Sequence, residues 1–498
     1  MEDINVKTKD DHTRQNVENI MIEISKDNEI PVPKEEKKAT TETEVQIDDL
    51  KRFEILIKDP FYNLPLSCRQ WNVMWIFLIR QYYSCSCMFF FAIYATGDDP
   101  KALGFTAIMI GWQLTAQFIQ PFADIYGRLI LYRSCLVLQL IGTILLFTLP
   151  FNQSVFMCIC GVIGVGFGPS SSLQHFIWNE ALPLRMVNIT VNVQYGAWAF
   201  VIPTVLYFWI WLRSVIPSNI DAWRTGMATA SIFLLVHICC TFLLSPSVPW
   251  LISQGRIAEA KKSTSHIYAG DKNADRLELW DYLQQQQQHR SKKVNAKTPF
   301  RKIWEKLWSW EFRLTLFAGI LQFTSCGLQY WGQSLQVAKF LPSAANNTEL
   351  VLSLMGLVEL PASVLAWWLP RHIGFVQSLV LMFLLQGIFN LCLFGELYLA
   401  YVALFCTRLV TSVLYNMVFM LCTLTFPPDV RSTGGGLLSN MGRIGSIFAP
   451  MLGFLPSYQV IWLCSLLSFV SAISCVGYSP NKYFATMSKD LLISAKKK

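Results

Sequence analysis

The chain has 498 residues, of which 53% are hydrophobic and only 15% are charged. This composition supplies too little polar surface for a soluble globule of this length, so it favours a membrane protein with the lipid bilayer as its surroundings. The net charge of +8 does not indicate a nucleic-acid partner, because the basic residues collect in the polar segments on one side of the predicted membrane.

Twelve apolar segments predict an all-α membrane protein with twelve transmembrane helices in two six-helix bundles, an array typical of a transporter. About 20 helical residues cross the roughly 30 Å hydrocarbon layer with every backbone polar group satisfied. The first six spans are predicted at Trp71–Ala95, Phe105–Ala123, Ile130–Leu149, Ser154–Phe176, Asn188–Leu212 and Thr225–Leu244. The second six are predicted at Phe312–Trp331, Leu350–Leu369, Val376–Phe394, Tyr398–Phe426, Gly434–Leu455 and Gln459–Tyr478.

The polar segments divide the chain into five parts. We predict a disordered cytoplasmic tail at 1–70, the N-terminal bundle at 71–244, a cytoplasmic central loop at 245–311, the C-terminal bundle at 312–478 and a cytoplasmic tail at 479–498. Lys and Arg concentrate on the side of the tails, so the positive-inside rule places both termini in the cytoplasm. We expect an integral, multi-pass protein of the plasma membrane. Asn346 begins a glycosylation sequon in an outer loop.

Short loops between the spans combine an acid with an arginine. After the second span, Asp124, Gly127 and Arg128 lie in a tight turn, where a carboxylate and a guanidinium can pair and latch two helices. Charged residues at corresponding places follow the fourth, eighth and tenth spans, at Glu180, Arg185, Arg371 and Arg431. Each charge alone could be a helix-flanking anchor. Their recurrence in both halves predicts a gating network.

These loops resemble those of the major facilitator superfamily, and within it the organic cation, anion and zwitterion transporters. Trp250–Arg256 looks like that family's start of the central loop, and Gln329–Gly332 is similar to the aromatic pair of its seventh span. Gly442–Ile447 carries Arg443, where members that move anions or zwitterions have arginine and cation carriers have aspartate. The resemblance implies a small organic solute that binds in a cavity between two bundles, which rock to give alternating access.

The sequence departs from the family pattern in several places. Gly97–Gly104 stands where relatives have a large disulfide-bonded outer domain. Ile125 replaces an expected arginine, and Ser247–Trp250 replaces an expected acid and arginine. These departures leave open a second hypothesis, a non-transporting membrane receptor or scaffold that has kept the fold.

Ionisable residues inside the spans are candidate substrate contacts, because a charge at the membrane centre costs at least about 2.5 to 3.5 kcal/mol on insertion scales. Arg443 is the first candidate, with snorkelling or a structural bond as its alternative. Glu359 and Arg408 could form an internal ion pair, in a structural role or as ligand contacts. Arg80 either lines the cavity or bonds to helix carbonyls.

Three uncharged residues complete the candidate substrate site. Tyr330 and Trp331 could stack on a planar solute or a cation, or could lie at the membrane interface. Gln113 could line the cavity or bond to a neighbouring helix. The sequence contains no phosphate-binding glycine loop, metal-binding His-Glu-x-x-His pattern or hydrolase serine motif, so we expect no enzyme activity, cofactor or metal.

The sequence therefore predicts a secondary or facilitative carrier of a small organic ion, with an anion or zwitterion favoured by Arg443. An organic cation carrier, with Glu359 as the counter-charge, remains an alternative. The sequence does not indicate the oligomeric state, the coupling ion or the identity of the solute.

Overall fold

The long apolar segments form helices, because a chain surrounded by hydrocarbon must satisfy its backbone polar groups internally. The computed structural model describes residues 67–95, 102–149, 152–182, 184–267, 300–335, 337, 348–427 and 430–478. Most of both predicted tails, the glutamine-rich part of the central loop and the Asn346 sequon lie outside these residues.

The described residues of the first half form six long helices. They are α1 Cys68–Ala95, α2 Ala102–Tyr126, α3 Arg128–Thr148, α4 Gln153–Ala181, α5 Leu184–Val215 and α6 Asn219–Thr241. The described part of the polar segment that follows forms three short helices. They are α7 Val248–Ser253, α8 Ile257–Ile267 and α9 Phe300–Leu307.

The second half repeats the arrangement with one interruption. Its helices are α10 Trp310–Leu335, α11 Thr348–His372, α12 Phe375–Cys392, α13 Leu397–Thr425, α14 Arg431–Met441, α15 Arg443–Phe448 and α16 Ser457–Ser474. Two 3-10 turns, Ala449–Phe454 and Cys475–Tyr478, follow α15 and α16. The all-α architecture predicted from the sequence is confirmed.

Eight of the described helices are long and apolar enough to cross a membrane, namely α3 to α6, α11 to α13 and α16. The other segments of membrane length are α1, α2, α10 and the interrupted pair α14 and α15, and each of them carries polar residues. Several of those polar side chains are buried inside the protein, including Arg80, Gln120, Gln322 and Arg443. Large apolar side chains such as Phe118 and Ile232 point outwards and are more than 60% exposed, as expected of a lipid-facing surface.

The eleventh predicted span, Gly434–Leu455, is not one regular helix. It breaks at Gly442, and a methyl group on Gly442 would lie 1.9 Å from Cβ of Phe323 on α10. A methyl group on Gly445 would lie 2.0 Å from the carbonyl oxygen of Thr324. Helix α10 therefore approaches this segment too closely for larger residues, and the break makes Arg443 the first residue of α15.

The two halves meet where α2 packs against α14 and where α5 packs against α11. Small residues allow both approaches, as is common between membrane helices. A methyl group on Gly436 would lie 2.5 Å from Cγ of Gln120, and one on Gly356 would lie 2.8 Å from Cγ2 of Ile202. These contacts leave a cavity between the two halves.

Candidate functional site

A cavity of about 80 Å³ lies between the halves. Helices α1, α2, α4 and α5 line one side, and α10, α11, α13 and α15 line the other. Aromatic side chains supply much of the wall. They are Trp112, Phe167, Tyr195, Trp198, Tyr330, Trp331, Tyr415 and Phe419.

Arg443 lies on the cavity wall and is 7% exposed. Its guanidinium carbon is 4.1 Å from the ring centre of Trp112, 5.9 Å from that of Tyr415 and 5.8 Å from that of Phe419. Its Nη1 donates a long hydrogen bond of 3.4 Å to the Tyr415 hydroxyl, and its buried Nε has no partner. Among the described residues, no carboxylate lies within ion-pair distance of Arg443, so aromatic faces provide most of its surroundings.

A hydrogen bond across the boundary between the halves holds the Trp112 ring in place. Its indole N–H donates to Oδ1 of Asn440 at 2.9 Å, and Asn440 lies on α14, three residues before Arg443. The same hydrogen bond therefore fixes the aromatic face and the segment that carries the guanidinium.

Arg80 lies on the opposite side of the wall and is 1% exposed. It donates to the carbonyl oxygen of Ser170 at 3.0 Å, to the Ser170 hydroxyl at 2.7 Å and to Oε1 of Gln174. Its guanidinium carbon lies 5.3 Å from the ring centre of Tyr132 and 5.7 Å from that of Phe167. Both alternatives from the sequence therefore hold, since Arg80 bonds to a helix carbonyl and also lines the cavity. The described part of the chain gives it no ion pair.

Glu359 and Arg408 form an ion pair beside the cavity, with Arg408 Nη2 2.5 Å and Nε 2.8 Å from Glu359 Oε1. The Tyr330 hydroxyl also donates to this oxygen at 2.9 Å, and the Trp198 indole donates to that hydroxyl at 2.9 Å. Arg408 additionally donates to the carbonyl oxygen of Tyr330 and to the Ser334 hydroxyl. Two hydrogen bonds and a further ion-pair contact to one carboxylate oxygen leave Glu359 well compensated in this conformation.

His175 is buried on the cavity wall between the two sides. Its ring centre lies 4.7 Å from that of Phe419 and 6.2 Å from that of Tyr195, and Nδ1 has no hydrogen-bond partner. On α13, Ser412 and Asn416 also line the wall, and the Ser412 hydroxyl and both amide atoms of Asn416 are buried without partners. These groups can bond to a ligand that enters the cavity.

A charged cluster, formed by Asp124, Arg128, Glu180 and Arg431, lies at one end of the boundary between the halves. Arg128 bonds to Glu180 and lies 3.5 Å from Asp124, while Arg431 Nη1 lies 3.2 Å from Glu180 Oε1. All four residues are at most 7% exposed. Because Arg431 belongs to the second half and the other three to the first, the cluster holds the two halves together at this end.

The start of the central segment covers the charged cluster. Ser247 donates to Glu180 Oε2 at 2.6 Å, and the Trp250 indole donates to the carbonyl oxygen of Asp124 at 2.8 Å. The Trp250 ring also lies against Gly127, whose φ of 112° is in the region that favours glycine. The segment that departs from the family pattern at Ser247–Trp250 therefore still contacts the cluster, through a hydroxyl and an indole.

Comparison with known proteins decides the family. The model of the Major Facilitator Superfamily matches residues 101–450, which is most of the chain. This protein belongs to the major facilitator superfamily. The xylose symporter XylE of E. coli, in a structure with 6-bromo-6-deoxy-D-glucose, has a similar fold with a TM-score of 0.66 and 14% sequence identity, and the alignment covers 82% of this chain and 95% of XylE.

Two relatives within the superfamily agree with the narrower resemblance found in the sequence. Human organic cation/carnitine transporter 2 is 24% identical over 385 residues, which cover 73% of this chain but only 63% of that protein. The niacin transporter NiaP of Acinetobacter baylyi is 24% identical over 367 residues, which cover 69% of this chain and 75% of NiaP. The resemblance to organic ion transporters of the superfamily is confirmed, whereas the match spans less than two thirds of the human relative.

The remaining candidates from the sequence occupy other places. Gln113 lies outside the cavity wall, at the contact of α2 with α14, where its Nε2 donates to Sδ of Met441 at 3.3 Å. This contact is the alternative given for Gln113, a bond to a neighbouring helix, and its role as a substrate contact stays a prediction. Arg371 stacks on Trp367 of its own helix at 4.2 Å. The side chain of Arg185 lies outside the described part of the chain.

Several wall residues were not predicted from the sequence, although one pattern could have indicated two of them. Ser412 and Asn416 follow the predicted Arg408 at intervals of four residues, which places all three on one face of a helix. Polar residues at this spacing in an apolar span indicate a polar face. No spacing along their own helices marks Trp112 and His175 as wall residues, because their neighbours in the cavity come from other helices.

Proposed function

We propose that this protein is a secondary carrier that moves a small organic anion or zwitterion across a membrane by alternating access. One observation carries the proposal: Arg443 is buried on the cavity wall, and the described residues offer it no carboxylate. A buried charge without a counter-charge is unfavourable by several kcal/mol, and a bound carboxylate would offset that free energy with charge-assisted hydrogen bonds.

The charges of the cavity wall favour an anion over a cation. Glu359 is the acidic residue among the described residues of the wall, and it already accepts from Arg408 and Tyr330. A cation would have to compete with a guanidinium for that carboxylate. The names of the two relatives include an organic cation as well as carnitine and niacin, which each carry a carboxylate.

The charged cluster supports alternating access rather than a fixed pore. It joins the two halves at one end through Arg431 and Glu180, so a solute in the cavity can leave at that end only after these contacts break. The positive-inside rule makes this end cytoplasmic. We therefore take the structure as a state that is closed towards the cytoplasm, with the cluster as its gate.

The test is uptake of labelled nicotinate, glutarate, carnitine and tetraethylammonium by cells that express the protein. We expect saturable uptake of at least one solute with a carboxylate, and a loss of at least about tenfold in Arg443→Gln, because a charge-assisted hydrogen bond contributes about 1.5 to 3 kcal/mol. Arg313→Gln is the matched control, since Arg313 also stacks on a tryptophan, Trp310, at 4.3 Å but lies outside the cavity wall.

Two results would contradict the proposal. Saturable uptake of tetraethylammonium alone, retained in Arg443→Asp, would assign the protein to cation transport. Absence of saturable uptake of every member of the panel, with the protein present at the cell surface, would favour the non-transporting receptor or scaffold.

A further inference from the structure

We infer that Arg80 forms a second anion subsite, so that the solute carries two anionic groups and bridges Arg80 of the first half to Arg443 of the second. This inference rests on the proposed function, because it assumes that Arg443 binds the first anionic group. It narrows the solute from an anion or zwitterion to a dianion.

Arg80 and Arg443 occupy separate positions on the wall. Within 6 Å, the Arg80 guanidinium contacts the rings of Tyr132 and Phe167, whereas that of Arg443 contacts Trp112, Tyr415 and Phe419, with no ring in common. Phe167 and Trp112 pack together at 4.7 Å between the ring centres. A pair of adjoining rings therefore connects the two guanidiniums.

The hydrogen-bond partners of Arg80 do not neutralise its positive charge. The acceptors that it contacts include a carbonyl, a hydroxyl and an amide oxygen, and none of its recorded partners is a carboxylate. Its Nε is buried without a partner, and the side-chain nitrogen of the neighbouring Gln174 is in the same condition. Gln174, like Arg80, lines the cavity. A ligand oxygen at this place could accept from both groups.

The second group of the solute is more favourable as an anion than as an ammonium. A zwitterion bound through its carboxylate at Arg443 would bring its cation towards Arg80, and the described residues of this side of the wall offer no carboxylate to receive it. Glu359, on the other half, is occupied by Arg408. His175 also lines the cavity, and its buried Nδ1 has no hydrogen-bond partner.

A dianion at these two arginines would contact both moving parts of the carrier at once. Arg80 lies on α1 in the first half, and Arg443 lies on α15 in the second. The solute class is therefore an organic molecule with two carboxylates, or with a carboxylate and a sulfonate or sulfate, separated by an apolar body that can lie along Trp112 and Phe167. Binding of such a molecule would join the halves directly.

The experiment compares each dianion with an analogue that lacks one charge. The purified protein is titrated with glutarate and with its monoamide, glutaramate, and then with terephthalate and terephthalamate, and binding is measured by isothermal titration calorimetry. We expect at least one dianion to bind about tenfold or more tightly than its monoamide, which is the discrimination expected of one charge-assisted contact.

Variants at the two arginines separate this inference from the proposed function. Arg80→Gln should reduce the affinity for the dianion to that for the monoamide, while the affinity for the monoamide changes little. Arg80→Lys keeps the charge and should retain most of the discrimination, which distinguishes a subsite from a fold that requires the guanidinium. Arg313→Gln, outside the cavity, should change neither affinity.

Three outcomes would overturn the inference. The wild-type protein could fail to distinguish dianions from their monoamides, Arg80→Gln could weaken both ligands equally, or carnitine could bind more tightly than every dianion and depend on Arg80. If Arg443→Gln abolishes binding of the monoamides as well, the proposed function stands whichever of these outcomes occurs. If Arg443→Gln leaves all anion binding unchanged, the proposed function itself fails.

Discussion

Asp124 accepts two hydrogen bonds from Thr433, one from the backbone N–H and one from the hydroxyl, both at 2.8 Å, although the two residues belong to opposite halves of the protein. Helix α14 begins beside Val430, whose side chain cannot accept a hydrogen bond. Asp124 therefore caps α14 from the other half, and its charge is placed at the positive end of the helix dipole. The same contact between Asp124 and Thr433 therefore closes this end of the protein and caps α14.

Asp124→Ala should therefore shift the protein towards a state open at this end. The loss of an N-cap costs about 0.5 to 2 kcal/mol, so we expect the closed state to lose about 2- to 30-fold in relative population. Cys422 on α13 reports on the opening, because it is 3% exposed and lies near Tyr195 of the opposite half. Its reaction with a maleimide, quantified by mass spectrometry, should become faster.

The control for this labelling is Asp221→Ala, which removes an acid from the first turn of α6, away from the boundary between the halves. It should leave the labelling of Cys422 unchanged. Cys464, which is buried on α16, reports on general unfolding. If Cys422 reacts no faster in Asp124→Ala, or if Cys464 accelerates equally, the capping bond does not control the opening.

The ion pair of Glu359 and Arg408 predicts a pronounced asymmetry between single and double variants. Glu359→Gln leaves a buried guanidinium without its counter-charge, which is expected to destabilise the protein by about 3 to 5 kcal/mol. Arg408→Met alone leaves the carboxylate unpaired in the same way. In the double variant neither charge remains, so its thermal midpoint in detergent should be higher than that of either single variant.

A thermal midpoint of the double variant below both single variants would contradict this expectation. It would indicate that Tyr330 and Ser334, which bond to the same two residues, account for the stability more than the ion pair does. Tyr330→Phe measures that contribution separately, because it removes the hydroxyl and keeps the ring.

The spans and the charged cluster could be predicted from the sequence because each depends on local pattern. Apolar length predicts a membrane helix, and an acid near an arginine in a short loop predicts a pair. This pattern accounts for the pair of Asp124 and Arg128, whereas the contact of Arg128 with Glu180 joins two separate loops. The contribution of the backbone N–H groups of Ser432 and Thr433 could not be predicted, because it depends on where α14 begins relative to a loop 300 residues earlier.

The sequence predicts Arg443 as a candidate site residue, but it could not predict which side chains surround the guanidinium. Its aromatic partners come from α2 and α13, and such pairings follow from the crossing of helices rather than from spacing along one of them. The break at Gly442 depends on the backbone of α10 in the same way. For Gln113 the sequence left two alternatives open, because helical spacing favours a polar face but does not say whether that face meets a cavity or a helix.

Trp112 should contribute to anion binding through Arg443. Trp112→Leu removes the ring beside the guanidinium and the hydrogen bond to Asn440. Because a cation–π contact contributes about 0.5 to 2 kcal/mol, we expect the apparent affinity for a transported anion to fall about 2- to 30-fold. Trp112→Phe keeps an aromatic ring and should have a smaller effect. The measurement is the concentration dependence of uptake.

Trp310→Leu is the matched control for Trp112→Leu, because Trp310 contacts Arg313 at 4.3 Å outside the cavity. It should leave the apparent affinity unchanged. Equal losses in the two leucine variants would indicate that any tryptophan is needed for the protein to reach its folded state. The contact of Trp112 with Arg443 would then have no specific role.

The last prediction concerns the close approach of α10 to α15. Gly445→Ala places a methyl group 2.0 Å from the carbonyl oxygen of Thr324 and 2.8 Å from the backbone nitrogen of Leu328, and backbone atoms cannot move away easily. We expect a loss of about 1 to 3 kcal/mol of stability, which is typical of overpacking. Uptake should fall as well, because Arg443 lies two residues earlier.

Gly161→Ala is the matched change in a helix of the first half, since a methyl group there has no neighbour within 4 Å. Alanine is favoured over glycine inside a helix by about 0.5 to 1 kcal/mol, so this variant should be as stable as the wild type or more stable. Thermal midpoints of the two purified variants in the same detergent make the comparison. If Gly445→Ala matches Gly161→Ala in midpoint and in uptake, then α10 and α15 do not approach so closely, and the position of Arg443 does not depend on that contact.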